Sequence, residues 1–207
     1  MQRSSFIFIF FLISFLSIKA QEIQDSIIKK PNPIFFGDVS LGYGNGSLRG
    51  LMGGVSLNYQ SKNNLFTFRH LEIIQYDNID FFLIFPINVE SRNIREYAVL
   101  YGKRYIEDGT SYHFSGGFSY NTYQQRKEND IIASESFVGF PLEAGISWFK
   151  NTKQKFRIFY GLIPVGKPTS CGRSIGFKLH ANIARRTYVG IGVTFGLGWH
   201  KVYEGDD

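Results

Sequence analysis

The sequence predicts an all-β fold, an antiparallel transmembrane β-barrel of eight strands with ten as the alternative. Three observations carry that prediction. First, apolar residues alternate with small or polar ones at a period of two along most of the chain, and no amphipathic helical pattern competes. Second, the face opposite the apolar one holds mostly Gly, Ser, Thr and Asn. A soluble sandwich shows water long polar side chains, whereas the cramped interior of a narrow barrel favours small ones. Third, the chain begins with an export signal and has a single cysteine, Cys171, so no internal disulfide can hold it.

The run TYVGIGVTFGLGWHK shows the pattern at its clearest. Val189, Ile191, Val193, Phe195, Leu197 and Trp199 form one face, with four glycines and Thr194 between them. A tilted transmembrane strand needs about 9 to 11 residues, which Val189 to Trp199 supplies. These six apolar residues are expected to face lipid.

The elements follow in chain order. MQRSSFIFIFFLISFLSIKAQ has a positive Arg3, an apolar run from Phe6 to Ile18 and a small-residue cleavage site at Ala20, the signature of a cleaved signal peptide over 1–20. The apolar run is shorter than the roughly 20 residues of a spanning helix. Residues 21–34 are expected to form a periplasmic segment, 35–203 the barrel and 204–207 an acidic tail. Strands are expected at 35–44, 49–60, 64–76, 94–105, 111–123, 134–149, 172–183 and 187–200. In the first, Val39, Leu41 and Tyr43 oppose Asp38, Ser40 and Gly42. In the third, LFTFRHLEII mixes its faces and is the least regular. Segments 79–88 and 155–163 are the further candidates that would make ten. Turn chemistry separates the strands at GNGS, SKNN, EDGT, NTKQ and ARRT. Eight strands put the connections 77–93 and 124–133 outside the cell and leave 150–171 as a long periplasmic link. Aromatics near the strand ends (Tyr43, Tyr59, Tyr112, Trp148, Trp199) suit interfacial girdles.

FVGFPLEAGISWF, then FRIFYG, and the closing SIGFKLHANIARRTYVGIGVTFGLGWH resemble the small outer-membrane β-barrel proteins of Gram-negative, Bacteroidetes-type bacteria, largely of unassigned function. The resemblance implies an outer-membrane address. Such barrels often end in an aromatic residue that the assembly machinery reads, whereas this chain continues past Trp199 and Tyr203 into Glu204-Gly205-Asp206-Asp207.

The chemistry-bearing motifs are few. GLIPVGKPT nearly spells a phosphate-binding loop, but Pro168 replaces the metal-binding hydroxyl and no helix follows, so it reads as a Gly/Pro connection. His113 and Ser115 share a strand face, and His-x-Ser resembles the site of outer-membrane lipid A deacylases. That likeness implies a hydrolase alternative with His113, Ser115 and Glu128 as the catalytic group. The four histidines lack metal-ligand spacing, so no metal or cofactor is expected. The formal net charge of +6 is scattered, which argues against nucleic acid as a partner and for outer-membrane lipid.

By parity, Asp38, Glu96, Arg104, Glu135, Glu143, Lys178 and His180 point into the lumen. Both signs are present, so the set can pair as a polar network that fills the barrel. The expected protein is thus a non-enzymatic outer-membrane barrel. Its role would be structural, adhesive or partner-binding, with an external protein or ligand met through loops 77–93 and 124–133. A narrow small-solute channel and a soluble periplasmic lipid-binding barrel compete with that expectation.

Overall fold

The computed structural model describes residues 33–82, 85–127, 130–158 and 163–203. The expected signal peptide, most of the 21–34 segment, Glu128 and the acidic tail lie outside the described residues. The strands are β1 (Ile34–Gly46), β2 (Gly50–Ser61), β3 (Asn64–Phe82), β4 (Phe85–Glu107), β5 (Thr110–Lys127), β6 (Asp130–Phe149), β7 (Gln154–Ile158), β8 (Ile163–Thr169), β9 (Gly172–Ala184) and β10 (Tyr188–Trp199). Eight of them close in the order β1-β10-β9-β6-β5-β4-β3-β2, while β7 and β8 pair with each other as a separate hairpin. Every pairing is antiparallel.

The ring is staggered. A walk through directly paired residues from Phe35 passes Tyr59, Phe66, Tyr101, Gly116, Leu142, Ala181 and Val189, and returns to β1 at Asn45. The offset, 45 minus 35, is ten residues. Such a stagger requires strands tilted by about 40°, so each residue climbs ~2.5 Å along the axis. Close approach of strands dictates some glycines: a Cβ at Gly42 would collide with the carbonyl of Ile191. The β4–β5 turn places Asp108 at φ 43° and Gly109 at φ 78°, the two positive values of a type I′ hairpin, which explains the Asp-Gly pair.

Polarity is inverted relative to a soluble protein. Along β10, Val189, Ile191, Phe195, Leu197 and Trp199 are exposed and Val193 is half-exposed, while Tyr188 and Thr194 are buried. Phe118 and Val138 reach 72% and 75% exposure, values a water-soluble core residue never shows. Arg69, Glu96 and Glu143, by contrast, are buried to 1%, 0% and 1%. The fold is an eight-stranded antiparallel barrel of the transmembrane type.

Two expectations are corrected. The described residues of the connections 77–93 and 124–133 are not loops but continuations of β3, β4, β5 and β6. Their sequence does not alternate cleanly, so these strand ends look like loops in sequence. Segment 155–163 is not a wall strand either; it contributes to the β7–β8 hairpin, and 79–88 belongs to the β3 and β4 continuations. These continuations outrun their neighbours. The last β2–β3 pair is Leu51↔Ile74, and the last β6–β9 pair is Gly139↔Ala184. Beyond those points β3, β4, β5 and β6 form a four-stranded sheet whose outer edges, on β3 and on β6, pair with no further strand among the described residues.

Candidate functional site

The barrel interior is filled in three tiers. The upper tier is apolar: Leu48 folds in from the β1–β2 turn and packs with Met52, Leu71, Ile73, Ile94, Tyr123 and Tyr188. Every member is at most 5% exposed, so the outer mouth is shut by side chains.

The middle tier holds the charges. Arg69 donates from Nε and Nη2 to Glu96 Oε1 at 3.0 and 2.6 Å, and from Nη1 to Glu143 Oε2 at 2.9 Å. The other Glu96 oxygen accepts from Asn182 and from the Tyr188 hydroxyl, both at 2.6 Å. Lys178 bridges Asp38 at 2.8 Å and Glu143 at 3.2 Å. Asn58 closes the set, donating to Asp38 at 2.7 Å and accepting from Thr67 at 2.8 Å. His180 Nδ1 lies 3.0 Å from Arg69 Nη1. The same nitrogen lies 3.4 Å from Glu143 Oε2, so it faces a donor and an acceptor together. Buried charges are tolerated only when paired and hydrogen-bonded, and here each carboxylate meets a cation and further donors.

The lower tier is built differently. Arg104 has no carboxylate partner in hydrogen-bond reach among the described residues; it donates to Gln60 Oε1 at 2.7 Å, to the His200 carbonyl at 2.9 Å and to Ser111 at 3.2 Å. Its guanidinium lies over Phe36 and Phe149, 4.7 and 5.6 Å from the ring centroids, and His200 packs against the same two rings.

Of the residues that parity assigns inward, Asp38, Glu96, Glu143, Lys178 and His180 meet in the middle tier, and Arg104 stands apart below. Glu135 does not join them. It sits above the ring and pairs with Arg185 and Arg186 of the β9–β10 turn, while Arg186 also covers the Tyr123 ring at 3.6 Å. Arg69 and Thr67 escape a reading by sequence, because β3 carries apolar residues inward and polar ones outward, whereas Asn58 and Asn182 stand on the polar faces of β2 and β9. Only the inward parity of Arg69 with Thr67 and Leu71 could have found it.

Of the hydrolase alternative, His113 and Ser115 are described and Glu128 is not. His113 Nε2 is engaged with Glu143 Oε1 at 3.0 Å, and the buried Ser115 hydroxyl has no hydrogen-bond partner among the described residues. His113 and Ser115 are therefore not in contact as base and nucleophile. No group of three or more metal-ligating side chains occurs among the described residues.

In the upper sheet, Arg92 holds Asp77 through Nε at 2.6 Å and Nη2 at 2.5 Å, and Gln75 adds a bond at 2.9 Å. The Arg92 hydrogen bonds bring the Asp77 carboxyl below its ordinary pKa, against a smaller opposing effect of burial. On the β6 edge, Ile131 and Ile132 are 52% and 57% exposed.

No protein-family model matches the sequence, and no curated protein matches it. Several solved structures are similar in shape. The N-terminal β-barrel domain of Pseudomonas aeruginosa OprF is 9% identical with a TM-score of 0.47, covering 80% of this chain and 99% of that one. Neisserial surface protein A is 10% identical with a TM-score of 0.48, covering 83% and 99%. Ail of Yersinia pestis, in complex with the heparin analogue sucrose octasulfate, is 9% identical with a TM-score of 0.47, covering 82% and 98%. Each is a likeness of shape and no more. The closed ring rests on this chain's own strand pairing.

Proposed function

We propose that this chain is an outer-membrane protein, exported by a cleaved signal peptide over 1–20, whose sealed barrel anchors a partner-binding sheet above the membrane. The observation that carries the proposal is the contrast between a lumen filled by paired side chains and a four-stranded sheet left open at both edges. A filled lumen conducts nothing and exposes no reacting group. An open edge presents unpaired N–H and C=O groups, a template for adding a strand from another chain. The role is adhesive or partner-binding, and the barrel is its support.

Bacteria displaying the full chain are compared with bacteria displaying a chain whose β3–β4 and β5–β6 hairpins are cut back to the rim. Retention on protein-coated and polysaccharide-coated surfaces is measured for both. The full chain is expected to be retained on one of them and the trimmed chain on neither. Equal retention of the two chains refutes the proposal. Single-channel recording in a planar bilayer provides the second arm: steady conductance by the unmodified barrel would favour the small-solute channel instead.

A further inference from the structure

One stretch of the outward wall breaks the apolar rule. On β3 and β4, beside the upper ends of β1 and β2, the outward positions carry His70, Glu72, Asn93 and Arg95, alternating with buried Leu71, Ile73, Ile94 and Glu96. The four are fixed in place. Glu72 Oε1 accepts from Asn93 at 2.7 Å and from Arg95 Nε at 2.9 Å. His70 Nδ1 lies 3.1 Å from the Glu96 carbonyl, and its ring stacks on Tyr97 at 4.5 Å between centroids. Charged side chains on a lipid-facing wall are costly unless they lie near the interface or have a task.

Their level is given by the register. Phe35 lies at the lower end of β1, and Tyr43, eight positions on, lies ~20 Å higher at the slope of a strand tilted by about 40°. Glu72 pairs with Gly53 and Gly53 with Leu41, one outward step below the Tyr43–Leu51 row. On β3, however, the stagger lifts Glu72 back to about the height of Tyr43, and Tyr97 joins the same belt. The polar group therefore sits where headgroups meet hydrocarbon.

Beneath it the wall is hollow. A groove of about 730 Å³ is lined by Leu41, Leu51, Val55, Ile74, His70 and Glu72, with Gly53 as its floor. A second groove of about 540 Å³ continues it downward past Val39, Val55, Leu57 and Leu197. Packing does not demand glycine at Gly53: an added Cβ there would meet only Leu41 Cδ2, at 3.9 Å. This differs from Gly42, where the neighbouring backbone forbids any side chain. At the upper lip, Arg49 donates Nε to the Tyr43 hydroxyl at 3.2 Å. Arg49 and Arg95 each commit Nε to these bonds, to the groove-lip Tyr43 and to the groove-lining Glu72, and their terminal nitrogens make no hydrogen bond among the described residues. Two guanidiniums stand against one carboxylate.

We propose that this groove binds an anionic phospholipid. Its acyl chain lies over Gly53 and down the wall, and its phosphate is held by Arg95 and Arg49. The groove is positive at the interface and apolar below, the polarity of one lipid molecule. A second copy of the barrel would present apolar wall to both parts. The proposal rests on the membrane reading given above.

The test places a fluorescent reporter in the groove wall by Leu51→Trp. The native Trp148 and Trp199, at the opposite end of the strands, serve as the bulk reference in the unmodified chain. The full chain is reconstituted in phosphatidylcholine vesicles containing chain-brominated phosphatidic acid, or chain-brominated phosphatidylcholine at the same mole fraction. Brominated phosphatidic acid is expected to be enriched about fivefold per arginine at the reporter. Gly53→Leu, which fills open space, and Arg95→Gln should each reduce that preference, while quenching of Trp148 and Trp199 stays the same. Equal quenching by the two lipids overturns the proposal, as does a preference that survives both substitutions. If neither lipid quenches Trp148 and Trp199, the chain is not in the bilayer and the membrane reading falls with the site.

Discussion

The same four strands, β3 to β6, live in two environments, and the difference shows what organises each. Within the ring every strand has two neighbours, and its side chains divide between a buried polar interior and an exposed apolar wall. Above the ring the sheet continues with open edges on β3 and β6, and the division lapses: Asp130 to Ser134 are exposed without interruption. Backbone pairing and a few half-exposed ion pairs such as Arg92 with Asp77 sustain the upper sheet, whereas buried side chains specify the lower one. The lower part is therefore sensitive to single substitutions, and the upper part is tolerant of them yet open to partners.

Four experiments put that contrast at risk. Arg69→Ala removes the cation shared by Glu96 and Glu143 and leaves two carboxylates short of a partner. It should cost about 3–5 kcal/mol, measured by urea unfolding from lipid vesicles. Val193→Arg puts a charge on the wall near the middle of β10 and should cost about 2–4 kcal/mol by the same measurement; no loss would mean that this wall does not meet lipid. Ile132→Lys on the open β6 edge should shift stability by less than about 0.5 kcal/mol while lowering partner retention, since edge lysines deter strand addition.

The fourth is a pH titration. The Asp77 carboxyl has a lowered pKa in the folded chain. Its contribution is present above the unfolded value of about 4 and is lost as pH falls through the folded one. Protection of backbone amides near Asp77 and Arg92, measured relative to intrinsic exchange at each pH, should therefore fall below about pH 4. Amides of β9 and β10 should be unchanged. A uniform response across the molecule would deny the upper sheet its independence.

What the sequence discloses follows the same division. The ring, its strand number and its antiparallel order are legible where bilayer and lumen impose opposite tastes on alternate residues, as in β9 and β10. Where β3 sets Leu65, Leu71 and Ile73 inward and His70 and Glu72 outward, the alternation is scrambled, and parity cannot single out Arg69. The upper sheet is hidden for another reason. QQRKENDII has no lipid to face, so its residues carry no rhythm although its flanks run in strands. Contacts such as Asn182 with Glu96, 86 residues apart, depend on the stagger of the ring, which no local pattern encodes.

The junction of β1 with β10 has a bearing on how the molecule comes into being. Twelve residue pairs join the first strand to the last, and Lys178 reaches Asp38 across 140 residues. Neither contact can form before β9 and β10 have been synthesised, so closure is the slow, late event expected of highly non-local pairing. Until then the edges of β1 and β10 stay sticky and the interior charges unmatched.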